Sequence, residues 1–128
     1  MNFLNILAVA SGGALGATLR LLLSTRLNQH YPHIIPFGTL GVNLLGSLIM
    51  GMLFAYFALH ISLSPVLKTF LMTGILGALT TYSTFAMESF LLLHANHYLY
   101  AFLNMGLNLF GTILFAGIGY STIIYFTK

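Results

Sequence analysis

The sequence has almost no charge and no cysteine. Its 128 residues include one acidic side chain and four Lys or Arg side chains, and charged residues make up only 4% of the chain. An ordinary soluble domain carries about 25% charged residues, so this chain cannot cover a globular surface with ions. One Glu, no Asp and no Cys cannot supply a carboxylate pair, a thiolate nucleophile or a cysteine metal site. These absences exclude most enzymes, and four basic residues are too few for a nucleic-acid surface.

Apolar sequence is what the chain has in excess, since hydrophobic residues make up 59% of it. A membrane-spanning helix needs about 20 apolar residues, so four spans use about 80 and leave no room for a soluble domain. The apolar runs predict helices at about 3–27, 36–60, 65–93 and 98–126, and Ser64-Pro65 predicts the start of the third. We therefore predict an all-α integral membrane protein with a single four-helix domain over residues 1–128.

The basic residues are divided evenly between the two sides of such a bundle. Lys68 and Lys128 lie on the side of the termini, whereas Arg26, and Arg20 if it snorkels, lie on the other side. Orientation in a membrane normally follows an excess of Lys and Arg on the cytoplasmic side. The tally of two against two permits insertion in both orientations, although another factor can still orient the chain.

Helices two and four carry polar residues at positions where contact with lipid would be costly. Residues at steps of four form a stripe along one face of a helix. The two stripes are Thr39, Asn43 and Ser47, and Asn104, Asn108 and Thr112. An amide or hydroxyl that faces lipid loses its hydrogen bonds, so these side chains must face protein or water. Hydrogen bonding between helices and a path for a solute are both compatible with the pattern.

The third helix has a middle that disfavours a continuous helix. In Thr73–Phe85, two glycines are followed by four Ser or Thr residues within five positions. Glycine and β-branched threonine are poor helix formers, which predicts a break near residues 77–81. Non-helical backbone at membrane depth must be buried or line a cavity, and its free carbonyls can bind cations. The alternative is a continuous helix whose small residues pack closely, the role we assign to Gly12 and Gly16 in helix one.

Two aromatic residues, Tyr82 and Phe85, project from one face just after the predicted break. The edges of aromatic rings are electropositive, so they can meet an anion without a formal cation nearby. Packing is the commoner use of such a pair. Glu88 lies further along the same helix, where we expect it to pair with Arg20 or to reach the headgroups.

These segments resemble the Fluc (CrcB) fluoride channels of bacteria and archaea. The resemblance is carried by residues 12–17 with Arg20, by residues 36–43, and above all by residues 73–85 with Glu88. It extends over the whole chain in length and in the number of spans. The helix-three segment is its most specific part.

The resemblance implies a fluoride-selective channel in the cell membrane that exports fluoride passively. It implies an antiparallel, dual-topology homodimer with two fluoride pathways, in which the third helix of each subunit is broken near its middle. It also implies a structural sodium ion (Na+) at the dimer centre. The backbone oxygens of Gly77 and Thr80 from both subunits would bind this ion.

The resemblance also places the fluoride pathway on particular residues. The fluoride-facing phenylalanines of the family fall on Tyr82 and Phe85, its pore asparagine falls on Asn43, and its polar helix-four positions fall on Asn108 and Thr112. Tyr at position 82 and Asn at position 108 depart from the family pattern. Together with the hydroxyls of the polar stripe and of helix three, the predicted pathway comprises Thr39, Asn43, Tyr82, Ser83, Thr84, Phe85, Asn108 and Thr112.

Two other functions stay open for a chain of this architecture. A small proton-coupled drug exporter is also a four-helix, dual-topology dimer, but it needs a carboxylate inside the first helix, and helix one has none. A non-transporting assembly subunit would use the polar stripes only to bridge helices. Fluoride efflux from vesicles that contain the purified protein distinguishes the three functions.

Overall fold

The structure is a computed structural model that describes residues 2–60 and 62–128. Within those residues, four apolar spans are long enough to cross a membrane, which confirms the predicted all-α architecture. In chain order the helices are α1 (Phe3–His30), α2 (Phe37–Leu59), α3 (residues 65–79), α4 (Tyr82–His94) and α5 (Tyr98–Phe126). The third span, Pro65–His94, consists of α3 and α4.

The first helix continues three residues beyond its predicted end at Leu27, to His30. The chain offers no proline before Pro32, so nothing in this polar segment interrupts the helical backbone. The Gly38 N–H also donates to the Asn28 side-chain oxygen at 2.7 Å, which ties the end of α1 to the start of α2. Asn28, which the sequence places in a loop, is therefore a helical residue whose side chain accepts a backbone N–H from the start of α2.

Helix α3 begins at Pro65, as the sequence predicts, and changes its winding after one turn. Residues Thr69–Leu76 form a π-helix, which has more residues per turn than an α-helix. This segment packs closely against α1, because a Cβ on Gly12 would lie 2.6 Å from the Phe70 carbonyl oxygen. Close packing, the predicted role of the glycines of helix one, is confirmed at this crossing.

Helices α2 and α5 pack against each other over much of their length. The two backbones meet without intervening side chains at two places. A Cβ on Gly51 would collide with the Ala116 carbonyl, and one on Gly119 would collide with the Leu48 carbonyl. Small residues at this contact let polar side chains on the two helices reach one another.

The third span is broken at Thr80 and Thr81, within the predicted segment. Thr80 has φ −82° and ψ 155°, and Thr81 has φ −149° and ψ 117°, so both residues have an extended backbone. The Thr81 hydroxyl then caps the next helix by accepting the Thr84 N–H at 3.3 Å. On the α3 side the break rests on a buried apolar cluster of Val42, Leu76 and Leu79.

Candidate ion pathway

A cavity of about 510 Å³ lies beside the break, where α2, the start of α4 and α5 meet. Five of the predicted pathway residues line it: Asn43, Tyr82, Phe85, Asn108 and Thr112. Sequence reasoning did not assign Ser47, Thr81, Met50 and Met105 to the pathway, although Ser47 belongs to the helix-two stripe and Thr81 to the hydroxyl cluster. No residue that lines the cavity within the described ranges carries a charge.

The other predicted pathway residues lie close to the cavity but do not line it. Thr39 donates its hydroxyl to Glu88 Oε1 at 2.7 Å. Thr84 accepts a hydrogen bond from the Thr81 hydroxyl at 3.0 Å, and the Ser83 hydroxyl lies 3.5 Å from the same Thr81 oxygen. The assignment of Thr39, Ser83 and Thr84 to the pathway stays a prediction.

The aromatic residues Tyr82 and Phe85 lie next to each other at the cavity. The rings of Tyr82 and Phe85 are 5.4 Å apart between centroids at an interplanar angle of 74°, which is an edge-to-face arrangement. Tyr82 is 79% exposed in the single chain, so little of its ring is used for packing inside the subunit. The start of α4, which carries both rings, therefore faces away from the subunit core.

Asn43 holds the backbone at the break. Its Oδ1 accepts the Thr81 N–H at 2.7 Å, and its Nδ2 donates to the Thr81 carbonyl at 3.1 Å. In a continuous helix the Thr81 N–H would donate to the carbonyl of Gly77. The second hydrogen of Nδ2 is donated to Asn108 Oδ1 at 2.9 Å. Asn43 thus has a structural role in addition to its position on the cavity wall, and both of its amide hydrogens are engaged.

The two polar stripes meet through a chain of amide hydrogen bonds. Beyond its bond with Asn43, Asn108 donates from Nδ2 to the carbonyl oxygen and Oδ1 of Asn104, at 3.0 and 3.2 Å. Asn104 in turn donates to the Ser89 hydroxyl at 3.0 Å. The sequence left open whether the stripes bridge helices or line a path; the structure shows that Asn43 and Asn108 bridge α2 and α5 and also line the cavity.

Of the two alternatives expected for Glu88, pairing with Arg20 and contact with the headgroups, the structure does not show the pairing with Arg20. Arg20 Nη1 instead donates to the Thr80 carbonyl at 3.4 Å, and Glu88 Oε1 accepts from Thr39. The other oxygen of Glu88 is buried and has no hydrogen-bond partner in the described residues. The break explains the difference, because it leaves an acceptor within reach of the guanidinium. Arg20 consequently turns toward the protein instead of snorkelling to the surface.

The residues implied for a sodium site offer carbonyl oxygens that are suitable ligands for the ion. Because Asn43 takes the Thr81 N–H, the Gly77 carbonyl lacks its usual helical donor, and the Thr80 carbonyl lies at the break. Carbonyl oxygens are the ligands that hard cations prefer. The described residues contain no cluster of His, Cys, Asp or Glu that would bind a metal instead. The implied ligand set of Gly77 and Thr80 comprises two carbonyl oxygens from each chain.

The family of the chain follows from comparison with known proteins. A family model described as CrcB-like protein, Camphor Resistance (CrcB), matches residues 7–120. The chain belongs to the CrcB family. Together with the four apolar spans, this membership makes it a multi-pass membrane protein and a member of a channel family, not an enzyme.

Curated relatives cover almost the whole chain and are named "Fluoride-specific ion channel FluC". A protein of Sulfurimonas denitrificans is 56% identical over 94% of this chain and 93% of its own length. A protein of Campylobacter jejuni is 48% identical over 90% of this chain and 93% of its own length. A protein of Nautilia profundicola is 43% identical over 96% of both chains.

Proposed function

We propose that this chain is the subunit of a fluoride-selective channel that lets fluoride leave the cell passively and so limits its toxicity in the cytoplasm. The observation that carries this function is the close similarity to relatives named fluoride-specific ion channels, such as the one that is 56% identical over 94% of the chain. The cavity beside the break gives the function a physical basis.

The cavity is suited to an anion although its described lining carries no charge. The break creates a new helix N-terminus at Tyr82, where the helix dipole and the first-turn N–H groups favour negative charge. The edge of an aromatic ring adds a second electropositive surface. Fluoride is a small, strong hydrogen-bond acceptor, so such donors can replace part of its hydration shell, while the absence of a fixed cation lets the ion leave again.

Passive movement is sufficient for export. An inside-negative potential drives an anion outward by about 2.3 kcal/mol per 100 mV, which suits a channel in the cell membrane. A proton-coupled drug exporter fits less well, because α1 contains no acidic residue. Glu88, the one acidic residue of the chain, lies in α4 and is bonded to Thr39.

Anion efflux from proteoliposomes tests this function directly. Vesicles loaded with potassium fluoride or potassium chloride receive purified protein, and valinomycin sets the potential. We expect rapid fluoride efflux and chloride efflux close to that of protein-free vesicles. No fluoride efflux, or chloride efflux as fast as fluoride efflux, would contradict a fluoride-selective channel.

We further propose that the functional unit is an antiparallel, dual-topology homodimer. The cavity is bounded by one chain on only part of its surface, and Tyr82 at its rim is 79% exposed. A second copy would bury this rim. With Arg20 turned inward, Lys68 and Lys128 face Arg26 across the membrane, so the bias of basic residues toward one side is a single charge. Such a weak bias supports insertion in both orientations.

A structural sodium ion would join the two subunits of this dimer. Gly77 and Thr80 of each copy would hold it through their carbonyl oxygens, which are otherwise difficult to satisfy at membrane depth. The ion supplies a positive charge that neutralises these oxygens. Arg20 donates to the Thr80 carbonyl from the side of α1, so this guanidinium helps to fix the orientation of the carbonyl.

A further inference from the structure

Ser89 and Asn104 lie behind the cavity and do not line it. Asn104 is completely buried and Ser89 is 5% exposed. Asn104 Nδ2 donates to Ser89 Oγ at 3.0 Å, and Ser89 Oγ donates to the Phe85 carbonyl at 2.9 Å. The pair therefore links α4 to α5 one turn beyond the aromatic ring that faces the cavity.

Hydrogen bonds join the side chains of Asn43, Asn108, Asn104 and Ser89 in series, and the backbone N–H of Thr81 sets the direction of that series. The Thr81 N–H can only donate, so Asn43 presents its oxygen to Thr81 and its amide nitrogen to Asn108. Asn108 then presents its oxygen to Asn43 and its amide nitrogen to Asn104. Asn104 is left with its own amide nitrogen for Ser89, whose hydroxyl is the acceptor. The donor-to-acceptor direction of this series of hydrogen bonds therefore allows each amide only one orientation.

We propose that Ser89 and Asn104 are positioning residues that fix the cavity-lining amides of Asn108 and Asn43. This role rests on the fluoride channel function proposed above. Asn104 offers Asn108 two acceptors, its carbonyl oxygen and its Oδ1, and the Ser89 hydroxyl holds that Oδ1 in place by bonding the other end of the same amide.

Loss of the hydrogen bonds of Ser89 and Asn104 would let the cavity-lining side chains move without removing any group that contacts the ion. If the Asn104 amide turns, Asn108 is held at one point instead of two and can leave Asn43. Selection of a small anion over a larger one requires a cavity wall that keeps its shape, which depends on the residues behind it. Fluoride flux and the preference for fluoride over chloride should therefore fall together.

Ser89→Thr and Ser89→Val form a matched pair for the test, because the two side chains have nearly the same shape and differ in the hydroxyl. Threonine in this chain bonds the carbonyl four residues back, as Thr112 does, so Ser89→Thr retains the hydroxyl in the required place. In proteoliposomes with equal amounts of folded protein, we expect Ser89→Thr to keep the fluoride flux. Ser89→Val should lower it by about tenfold and lower the fluoride-to-chloride ratio.

A double variant separates positioning from stability. Ser89→Ala leaves the buried Asn104 amide without an acceptor and should lower the thermal stability. Combining it with Asn104→Leu removes this unpaired amide and should recover part of the stability, although one Asn108 amide hydrogen then loses its acceptor. We expect the fluoride flux of the double variant to stay low, because Asn108 still lacks its side-chain acceptor.

Two results would overturn the positioning role: equal flux in Ser89→Thr and Ser89→Val, or recovery of flux together with stability in the double variant. Both comparisons refer to wild-type protein in the same vesicles. If the wild-type protein conducts no fluoride, the channel function itself fails. If it conducts and the variants behave alike, only the positioning role fails.

Discussion

At the scale of single residues, Asn43 combines two roles that a sequence cannot separate. It lines the cavity, and it bonds both backbone groups of Thr81. Asn43→Ala should abolish most fluoride flux and also lower stability, since each buried group left unpaired costs about 1–3 kcal/mol. Fluoride efflux and thermal unfolding of the purified protein measure the two effects.

Thr122→Val is a suitable control for Asn43→Ala. Within the described part of the chain, the Thr122 hydroxyl bonds only the Ile118 carbonyl of its own helix, and Thr122 does not line the cavity. We expect its flux and stability to match those of the wild-type protein. Unchanged flux in Asn43→Ala would remove this residue from the pathway.

The two aromatic residues should respond differently to substitution. Phe85→Ile removes an aromatic ring from the cavity wall and should lower fluoride flux at least tenfold while the fold persists. Tyr82→Phe keeps the edge-to-face pair and removes only a hydroxyl on a side chain that is 79% exposed. We expect Tyr82→Phe to keep wild-type flux within about twofold, because ring edges and not the hydroxyl supply the electropositive surface. A large loss in Tyr82→Phe would show that the hydroxyl takes part.

At the scale of elements, the contact between α2 and α5 depends on glycine at particular positions. A Cβ on Gly119 would collide with the Leu48 carbonyl, whereas a Cβ on Gly117 would meet nothing within 4 Å. Gly119→Ala should therefore separate the helices and lower the thermal stability. Gly117→Ala should be neutral, or stabilise by up to about 1 kcal/mol because alanine favours a helix. Equal stability of the two variants in detergent would show that the close approach is not maintained.

The broken span explains how α2 and α5 come to support one site. At Thr81 the extended backbone takes the N–H away from the Gly77 carbonyl and leaves the Thr81 carbonyl within reach of another helix. Asn43 on α2 satisfies both groups at Thr81, and Asn108 on α5 bonds Asn43. The hydrogen bonds of Asn43 therefore stabilise the broken span and also hold the polar side chains that line the candidate pathway.

At the scale of the whole molecule, insertion in both orientations can be tested by labelling. The chain has no cysteine, so Lys68→Cys and His97→Cys each introduce a single reactive site, on opposite sides of the bundle. A membrane-impermeant thiol reagent added to intact cells should label both variants in part, with full labelling after lysis. Complete labelling at one position and none at the other would exclude the antiparallel dimer.

Sodium removal tests the central ion separately from the pathway. Replacement of sodium by a large organic cation should weaken the dimer and lower fluoride flux, because the carbonyls of Gly77 and Thr80 would lose the charge between them. Thr80→Ser keeps the backbone carbonyl and should retain the sodium dependence. Dimer formation in detergent and fluoride efflux report the two effects, and independence from sodium in both would contradict the structural ion.

The sequence by itself determined the four spans, the position of the break and five of the residues that line the cavity. These features depend on local properties: apolar length, the weak helix preference of glycine and threonine, and polar residues at steps of four. It also carried enough family-specific residues around the break to indicate a fluoride channel.

Only the tertiary structure decided which polar groups bond to one another. Arg20 bonds the Thr80 carbonyl instead of Glu88, and Glu88 accepts from Thr39 on another helix. The pairing of Asn104 with Ser89 shows no sequence pattern, since the two residues are brought together by the antiparallel packing of α4 and α5. A hydrogen bond requires atoms within about 3 Å, and that distance depends on how helices cross and rotate, which the residue order alone does not specify.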